Sequence, residues 1–285
     1  MSTKCAVVGH PVLHSLSPVI HNAGYVALGI DWEYEAIEVE IGTFDTTLTS
    51  LWNEGYRGFN VTMPFKAEAH AHADHLHDAA KRLGSVNTLV KEADGLIHGY
   101  STDGDGFILS LAEENISVSG MKTFVIGAGG ASRAICDALV QRGAELSITA
   151  RKKEQAHDVI RCLPEHDQDD VQVIEFDDRN EYLAGCDMVI NATPIGMAHS
   201  DESRDSTPID PAFLSPEHII VDTIYHPLET ELIRSARAVG CVAFNGVGML
   251  LHQAAISFSL MTSMDVPLTA MKVALEHELV KREVG

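Results

Sequence analysis

No apolar run in this 285-residue chain approaches the roughly 20 residues needed to cross a bilayer. The runs are short and broken by Gly, His or Asp, which excludes a membrane-spanning helix. Cysteine is scarce as well. Cys5, Cys136, Cys162, Cys186 and Cys241 are odd in number and show no Cys-x-x-Cys spacing. That argues against a disulfide framework or a thiolate zinc site and favours reduced thiols in a cytoplasmic protein. Positive charge is in short supply: 20 Lys and Arg stand against 41 Asp and Glu, a formal net charge of −21. Such a chain repels phosphate backbones, so nucleic acid is not an expected partner. Any anion site must carry its own positive groups. Met1–Lys4 runs directly into a strand-like Cys5–Gly9 and lacks the apolar core and cleavage site of a signal peptide.

What is present is an alternation of strand and helix signals with no internal repeat. Cys5–Gly9 reads as a strand. Ser17–Leu28 reads as a helix, with Ser17 as N-cap and Pro18 at the first helical position. Tyr34–Val39 is β-rich, Phe44–Asn53 is amphipathic and Gly58–Thr62 is strand-like. A helical stretch is expected from about Phe65 to Leu83, followed by strand signals at Val86–Lys91 and Leu96–His98. A boundary falls near Asp103–Gly106. Strand, glycine turn, helix and strand then repeat: Met121–Ile126, Gly127–Gly130, a helix through Val140, Glu145–Ala150, a helix over Lys152–Cys162 and Val171–Phe176. Met188–Asn191 and Ile219–Asp222 follow as strands. This is the pattern of a dinucleotide-binding sheet. A helical tail from about Gly246 to Leu279 is expected to return to the first domain. The fold class is therefore α/β with two domains. Residues 1–105 and 246–285 form a mixed α/β substrate domain, residues 106–245 a Rossmann-type doubly wound domain, and a ligand cleft is expected between them.

Gly127-Ala128-Gly129-Gly130-Ala131 sits between a strand and a helix. Small residues there let the backbone turn tightly and approach a pyrophosphate, which the helix N-terminus attracts. Ser132 replaces the usual Gly or Ala at the third fingerprint position. The next strand ends at Ala150-Arg151-Lys152-Lys153, where an NAD site would place an acidic residue. Three cations there point to the 2′-phosphate of NADP. The plainer reading, a basic helix start, runs against the helix dipole.

Asn60-Val61-Thr62-Met63-Pro64-Phe65-Lys66 ends a strand and opens a helix. A lysine so placed can serve as the acid/base that hydride transfer from an alcohol requires. Taken alone, it is more often a solvated surface charge. Asp103, in Thr102-Asp103-Gly104, can hold Lys66, or cap the helix that follows. Ser15 and Ser17 offer two hydroxyls at a helix N-terminus, suited to a carboxylate. Asn87 is a polar residue among apolar ones. It can bind a ring hydroxyl or satisfy local backbone.

Together with Ser85–Thr88, Asn191–Met197, Asp222–Pro227 and Gly246–Ala254, these elements resemble the shikimate dehydrogenase family in order and over nearly the whole chain. The resemblance implies NADPH-dependent reduction of 3-dehydroshikimate to shikimate on the route to aromatic amino acids. It implies Lys66 and Asp103 as the catalytic pair, Lys66 the proton acceptor and donor with Asp103 beside it, facing the groove between the domains. It assigns Ser15, Ser17, Thr62, Asn87, Tyr225 and Gln253 to the substrate. Gly127, Ala128, Gly129, Gly130, Ala131, Arg151, Ile224, Gly246 and Met249 fall to the cofactor, as does Asp78, which contacts it in some members. Two positions depart from the family pattern. Ser101 stands where many members have Asn, and Ala150-Arg151-Lys152 stands where many have Asn-Arg-Thr. A quinate/shikimate dehydrogenase preferring NAD and a ligand sensor without catalysis are the alternatives.

Three signals carry no function at this stage. His70, His72, His75 and His77 crowd one expected helix beside Asp74 and Asp78. They are read as a solvated face, and no metal is expected. Asn191-Ala192-Thr193 matches a glycosylation acceptor, but without a signal peptide it is read as an unmodified loop near the nicotinamide. Asp201–Ser206 is read as a mobile surface loop. A homodimer is compatible with the sequence, which does not fix the oligomeric state.

Overall fold

The computed structural model describes residues 2–197 and 206–284. The expected surface loop at 201–206 lies outside them except for Ser206. Two compact units divide the chain, Met1–Gly106 with Leu251–Gly285, and Phe107–Leu250.

The first unit begins with β1 (Thr3–Gly9), α1 (Ser17–Leu28), β2 (Trp32–Glu38), α2 (Phe44–Asn53) and β3 (Tyr56–Val61). The chain continues through α3 (Lys66–His72), β4 (His75–Leu76), α4 (Asp78–Leu83), β5 (Thr88–Lys91), β6 (Ile97–Tyr100) and α5 (Asp103–Glu113). The sheet order is β2-β1-β3-β5-β6-β4. β1 lies between β2 and β3, parallel to both, and its Cys5–Val8 run is buried as a strand covered on both faces must be. β5 runs antiparallel to β3 and to β6, and β4 adds a parallel edge. Phe44, Leu48 and Trp52 of α2 pack with Phe59 and Phe65 on one face.

The helix expected over Phe65–Leu83 is interrupted. Ala73 is extended, and the Asp74 and His77 amides donate to the carbonyls of Ile97 and Gly99. Strand pairing with β6 therefore replaces one helical turn. This is a tertiary effect that a local helical pattern does not register.

The second unit is wholly parallel. Its elements are β7 (Lys122–Ile126), α6 (Gly130–Val140), β8 (Glu145–Thr149), α7 (Lys153–Ile160), β9 (Gln172–Val173), α8 (Arg179–Tyr182), β10 (Met188–Asn191), β11 (Ile219–Asp222), α9 (Glu231–Val239) and β12 (Val242–Phe244). The order β12-β11-β10-β7-β8-β9 is that of a doubly wound sheet, reversing at β7. One core holds Val125, Ile135, Leu139 and Ile190, and the other holds Phe124, Ile126, Val189 and Ile233. The successive inward residues of each strand thus feed opposite faces. The strand expected over Val171–Phe176 is only two residues long, because Glu175 leads into a tight helical turn at Phe176–Asp178.

The tail is two helices rather than one, α10 (Val247–Thr262) and α11 (Leu268–Val284). Ser263 takes a left-handed φ of 57°, and Pro267 brings no amide to continue the first helix. α11 packs on α1, and Phe258 of α10 lies 5.2 Å from the Tyr25 ring.

Candidate active site

Parallel pairing of β1 with β3 puts the loops after both strands at one sheet edge. The His10 amide donates to the Met63 carbonyl across that edge. Antiparallel β5 begins there, since Thr88 pairs with Asn60. Antiparallel β6 ends there, since Tyr100 pairs with Thr88. Residues from four chain segments are thereby collected in the first unit: 10–17, 62–66, 85–88 and 101–106.

Lys66 opens α3, and its carbonyl accepts from the Val86 amide at 3.0 Å, which ties the first turn to the segment entering β5. Asp103 opens α5, where the helix dipole favours a negative group. The Lys66 Nζ lies 2.5 Å from Asp103 Oδ2, with side-chain exposures of 21% and 12%. Both residues belong to the first unit. The pair is thus assembled within the first unit, among the residues 1–105 expected to share one domain.

The second Asp103 oxygen is held too. Asn87 Nδ2 donates to Asp103 Oδ1 at 2.7 Å and to Thr102 Oγ1 at 2.9 Å, while Asn87 Oδ1 accepts from the Thr102 amide at 2.8 Å. Asn87 is 4% exposed, and both its amide hydrogens are engaged inside the protein. Below it, Asn60 Nδ2 donates to Thr88 Oγ1 at 3.0 Å, and the Tyr34 hydroxyl donates to Asn60 Oδ1 at 2.6 Å. A buried network satisfied at each step is stiff, because releasing any member would strand a buried polar group. Sequence reasoning missed Tyr34 and Thr88 as supports of the pair. Asn60 left a trace, a polar residue between Phe59 and Val61; Tyr34 left none.

Thr62 is half-buried, and its backbone bonds to Val8 and Phe65 shape the turn that delivers Lys66. Gln253 lies on α10, and its carbonyl accepts from Thr102 Oγ1 at 3.4 Å. Ser15 and Ser17 occupy the segment after β1, but their local roles differ from expectation. The helix starts at Ser17, Leu16 is its N-cap and no side chain caps it. Ser15 Oγ instead accepts from the Ser17 amide at 3.2 Å, so the turn is closed from one residue earlier. Asp78, exposed, opens α4 in the first unit, whereas Tyr225 follows β11 in the second.

In the second unit the loops after β7, β8, β10 and β11 share the C-terminal edge of the sheet. Gly127 has φ 115°, and a Cβ there would lie 2.7 Å from the Ala192 carbonyl oxygen, so only glycine fits between β7 and β10. Ser132 is fully buried, and its hydroxyl donates to the Gly127 carbonyl at 2.6 Å. The serine that departs from the fingerprint thus closes the turn itself. α6 begins at Gly130 with Gly129 as N-cap and no side-chain cap, both glycines are exposed, and a Cβ on Gly129 would meet nothing within 4 Å. With Ala128 and Ala131 beside them, they form an open, uncapped helix N-terminus that fits a pyrophosphate.

Arg151 and Lys152 are exposed after β8, and Lys153 pairs with Glu175. Gly246 donates its amide to the Ile224 carbonyl at 2.9 Å, and a Cβ on it would lie 2.1 Å from the Thr223 oxygen. This close approach joins the loop carrying Ile224 and Tyr225 to the segment carrying Met249. Asn191 is fully buried, with Oδ1 accepting from Thr193 and Nδ2 donating to Asp222, which suits a scaffold and not a glycan acceptor.

Three family descriptions match the chain. Residues 7–89 match the shikimate dehydrogenase substrate binding domain, 110–200 match shikimate/quinate 5-dehydrogenase, and 246–276 match the shikimate 5′-dehydrogenase C-terminal domain. Shikimate dehydrogenase (NADP(+)) of Symbiobacterium thermophilum is 38% identical over 281 residues, covering 95% of this chain and 94% of the relative. A crystal structure of shikimate dehydrogenase in complex with NADP+ superposes with a TM-score of 0.90 at 32% identity, covering 98% and 96% of the two chains. The shikimate 5-dehydrogenase of Thermus thermophilus, in complex with NADP(H) and shikimate, gives 0.84 at 31%, covering 96% and 99%.

Proposed function

The chain belongs to the shikimate dehydrogenase family, and from that premise we propose how its residues carry the activity. It is an NADP-dependent alcohol oxidoreductase that interconverts 3-dehydroshikimate and shikimate, a step of chorismate and aromatic amino acid biosynthesis. NADPH, when bound, supplies the hydride. The protein supplies position and a proton.

Lys66 is the proton carrier. In reduction its ammonium gives a proton from Nζ to the oxygen that becomes the ring hydroxyl; in oxidation the neutral amine takes it back. Asp103 holds the amine through Oδ2, and Asn87 keeps Asp103 from turning away. The observation that carries this reading is the 2.5 Å Lys66–Asp103 contact with the second Asp103 oxygen fixed by Asn87. Ser15 and Ser17 are assigned to the substrate carboxylate, and Thr62, Tyr225 and Gln253 to its remaining polar groups. The α6 N-terminus receives the pyrophosphate and Arg151, with Lys152, the 2′-phosphate; Ile224, Gly246, Met249 and Asp78 are assigned to the rest of the cofactor. In a chain of net charge −21 these local donors are what an anionic ligand requires. The same acidity supports small-molecule partners over nucleic acid, and five unpaired cysteines support a cytoplasmic setting.

Initial rates with NADP and NAD, each on shikimate and quinate, test the assignment. Shikimate with NADP is expected to be the fastest pair, and Lys66→Ala to lower turnover about 10²- to 10⁴-fold. Faster turnover of quinate with NAD would overturn the substrate and cofactor reading. Binding of shikimate without any change in nicotinamide absorbance would make the protein a sensor. A loss in Lys66→Ala smaller than about tenfold would move the proton transfer to another group.

A further inference from the structure

The interruption between α3 and α4 turns a histidine-rich segment into a different object. His70 and His72 stay on α3, where His72 is fully engaged: it accepts from Trp52 Nε1 at 3.2 Å and lies 2.9 Å from Asp45 Oδ1. His75 and His77 pass to the edge strand β4 and the residue after it. Two residues apart on extended chain, they project from the same face of the sheet. Parallel pairing sets His75 opposite His98 of β6. Three imidazoles separated by up to 23 positions thus converge, and one ring nitrogen from each lies within 4.8 Å of the other two.

We infer that His75, His77 and His98 form a binding site for a divalent first-row transition metal ion, with zinc as the ion of best fit. The His77 Nε2 to His98 Nδ1 separation is 3.3 Å. Two nitrogens each about 2.0–2.1 Å from a tetrahedral zinc ion lie about 3.3–3.4 Å apart, so this pair already stands at ligand spacing. Exposed His75 supplies the third nitrogen, and a solvent molecule would complete four-coordination.

The surroundings fix the rings as ligands. Asp94 Oδ2 lies 3.1 Å from His98 Nε2, and its other oxygen accepts from the Leu96 amide at 2.9 Å. With His98 Nε2–H donating to this carboxylate, the Nδ1 lone pair faces His77. This is the outer-shell arrangement that orients metal-binding histidines. Tyr100 stacks on His77 at 3.9 Å between ring centres, with 18° between planes, and fixes that ring as well. Imidazole donors select zinc, nickel or copper over magnesium or calcium, which take oxygen.

The site owes nothing to the dehydrogenase chemistry and can be tested apart from it. Untagged full-length protein, stripped with a chelator, is titrated with zinc chloride by calorimetry near pH 7.5. Saturable one-to-one binding is expected, with no response to magnesium. Cobalt should give a tetrahedral absorption spectrum that zinc displaces. His75→Ala and His98→Ala should each weaken binding by at least about tenfold, and Asp94→Asn by about tenfold, while His70→Ala and Lys66→Ala leave it unchanged. Because His75 is exposed, its variant decides the matter if His98→Ala fails to fold. No saturable zinc binding by the parent, or equal affinity in parent and His75→Ala, would overturn the site.

Discussion

A carboxylate without solvent or a cation beside it is costly to ionise, and Asp222 is in that position. It is fully buried, accepting from Asn191 Nδ2 and the Ile224 amide on one oxygen and from Thr230 Oγ1 on the other. Burial raises its pKa to about 6 from 3.8, and the three donors offset only part of the cost. Below about pH 4 both folded and unfolded forms hold the proton, and ionisation costs nothing. Between pH 4 and 6 the folded form keeps a proton that the unfolded chain releases, so stability falls as pH rises. Above 6 the full cost stands, about 3 kcal/mol for a shift of this size. Asp222→Asn lacks this term. Urea midpoints of parent and variant between pH 4 and 7 should show the parent losing about that much relative to the variant. A difference independent of pH would show that Asp222 is ionised throughout. The sequence marked Asp222 as the start of a motif, but its part in binding the β10 and β11 loops together needed the contacts.

At the scale of elements, α5 and α10 meet at Gly106. A Cβ there would lie 2.6 Å from the Gln253 amide nitrogen and 2.9 Å from its Cα, backbone atoms that no side-chain motion can clear. Gly→Ala inside a helix ordinarily stabilises by about 1 kcal/mol through propensity. Here overpacking reverses the sign, at a cost of about 1–3 kcal/mol. Because the same first turn of α5 carries Asp103, Gly106→Ala should lower both the urea midpoint and turnover. A variant as stable and active as the parent would show that the contact is dispensable. Elements shaped by their own residues were legible: the expected bounds of Ser17–Leu28, Phe44–Asn53, Met188–Asn191 and Ile219–Asp222 are the observed ones. Elements that exist through a partner were not. β4 is two residues long and stands only because β6 pairs with it. β12 and α9 were passed over, although Thr230 accepting from Ile233 and the left-handed Gly240 mark that helix's two ends.

For the whole molecule, the dominant quantity is charge. With 41 acidic and 20 basic side chains, one-to-one pairing would still leave 21 acids without a cation. Exposed ion pairs such as Arg237–Glu229 are worth roughly 0–1 kcal/mol, and salt weakens them. Repulsion among the excess acids is weakened by the same salt and involves far more charge, so screening it should prevail. The midpoint of thermal unfolding should therefore rise as sodium chloride goes from low concentration to a few hundred millimolar. A falling midpoint would mean that the ion pairs outweigh the repulsion.

The sequence alone determined the family and the α/β alternation, and it singled out the dinucleotide turn and Lys66 with Asp103 as candidates. Each is written in short motifs or in the period of apolar residues, which local chemistry sets. Only the tertiary structure decided that Asn87 clamps Asp103, that Tyr34 and Thr88 support it, and that three histidines converge on β4 and β6. Those facts depend on which strands lie side by side, and strand pairing joins residues whose separation along the chain carries no trace of the contact.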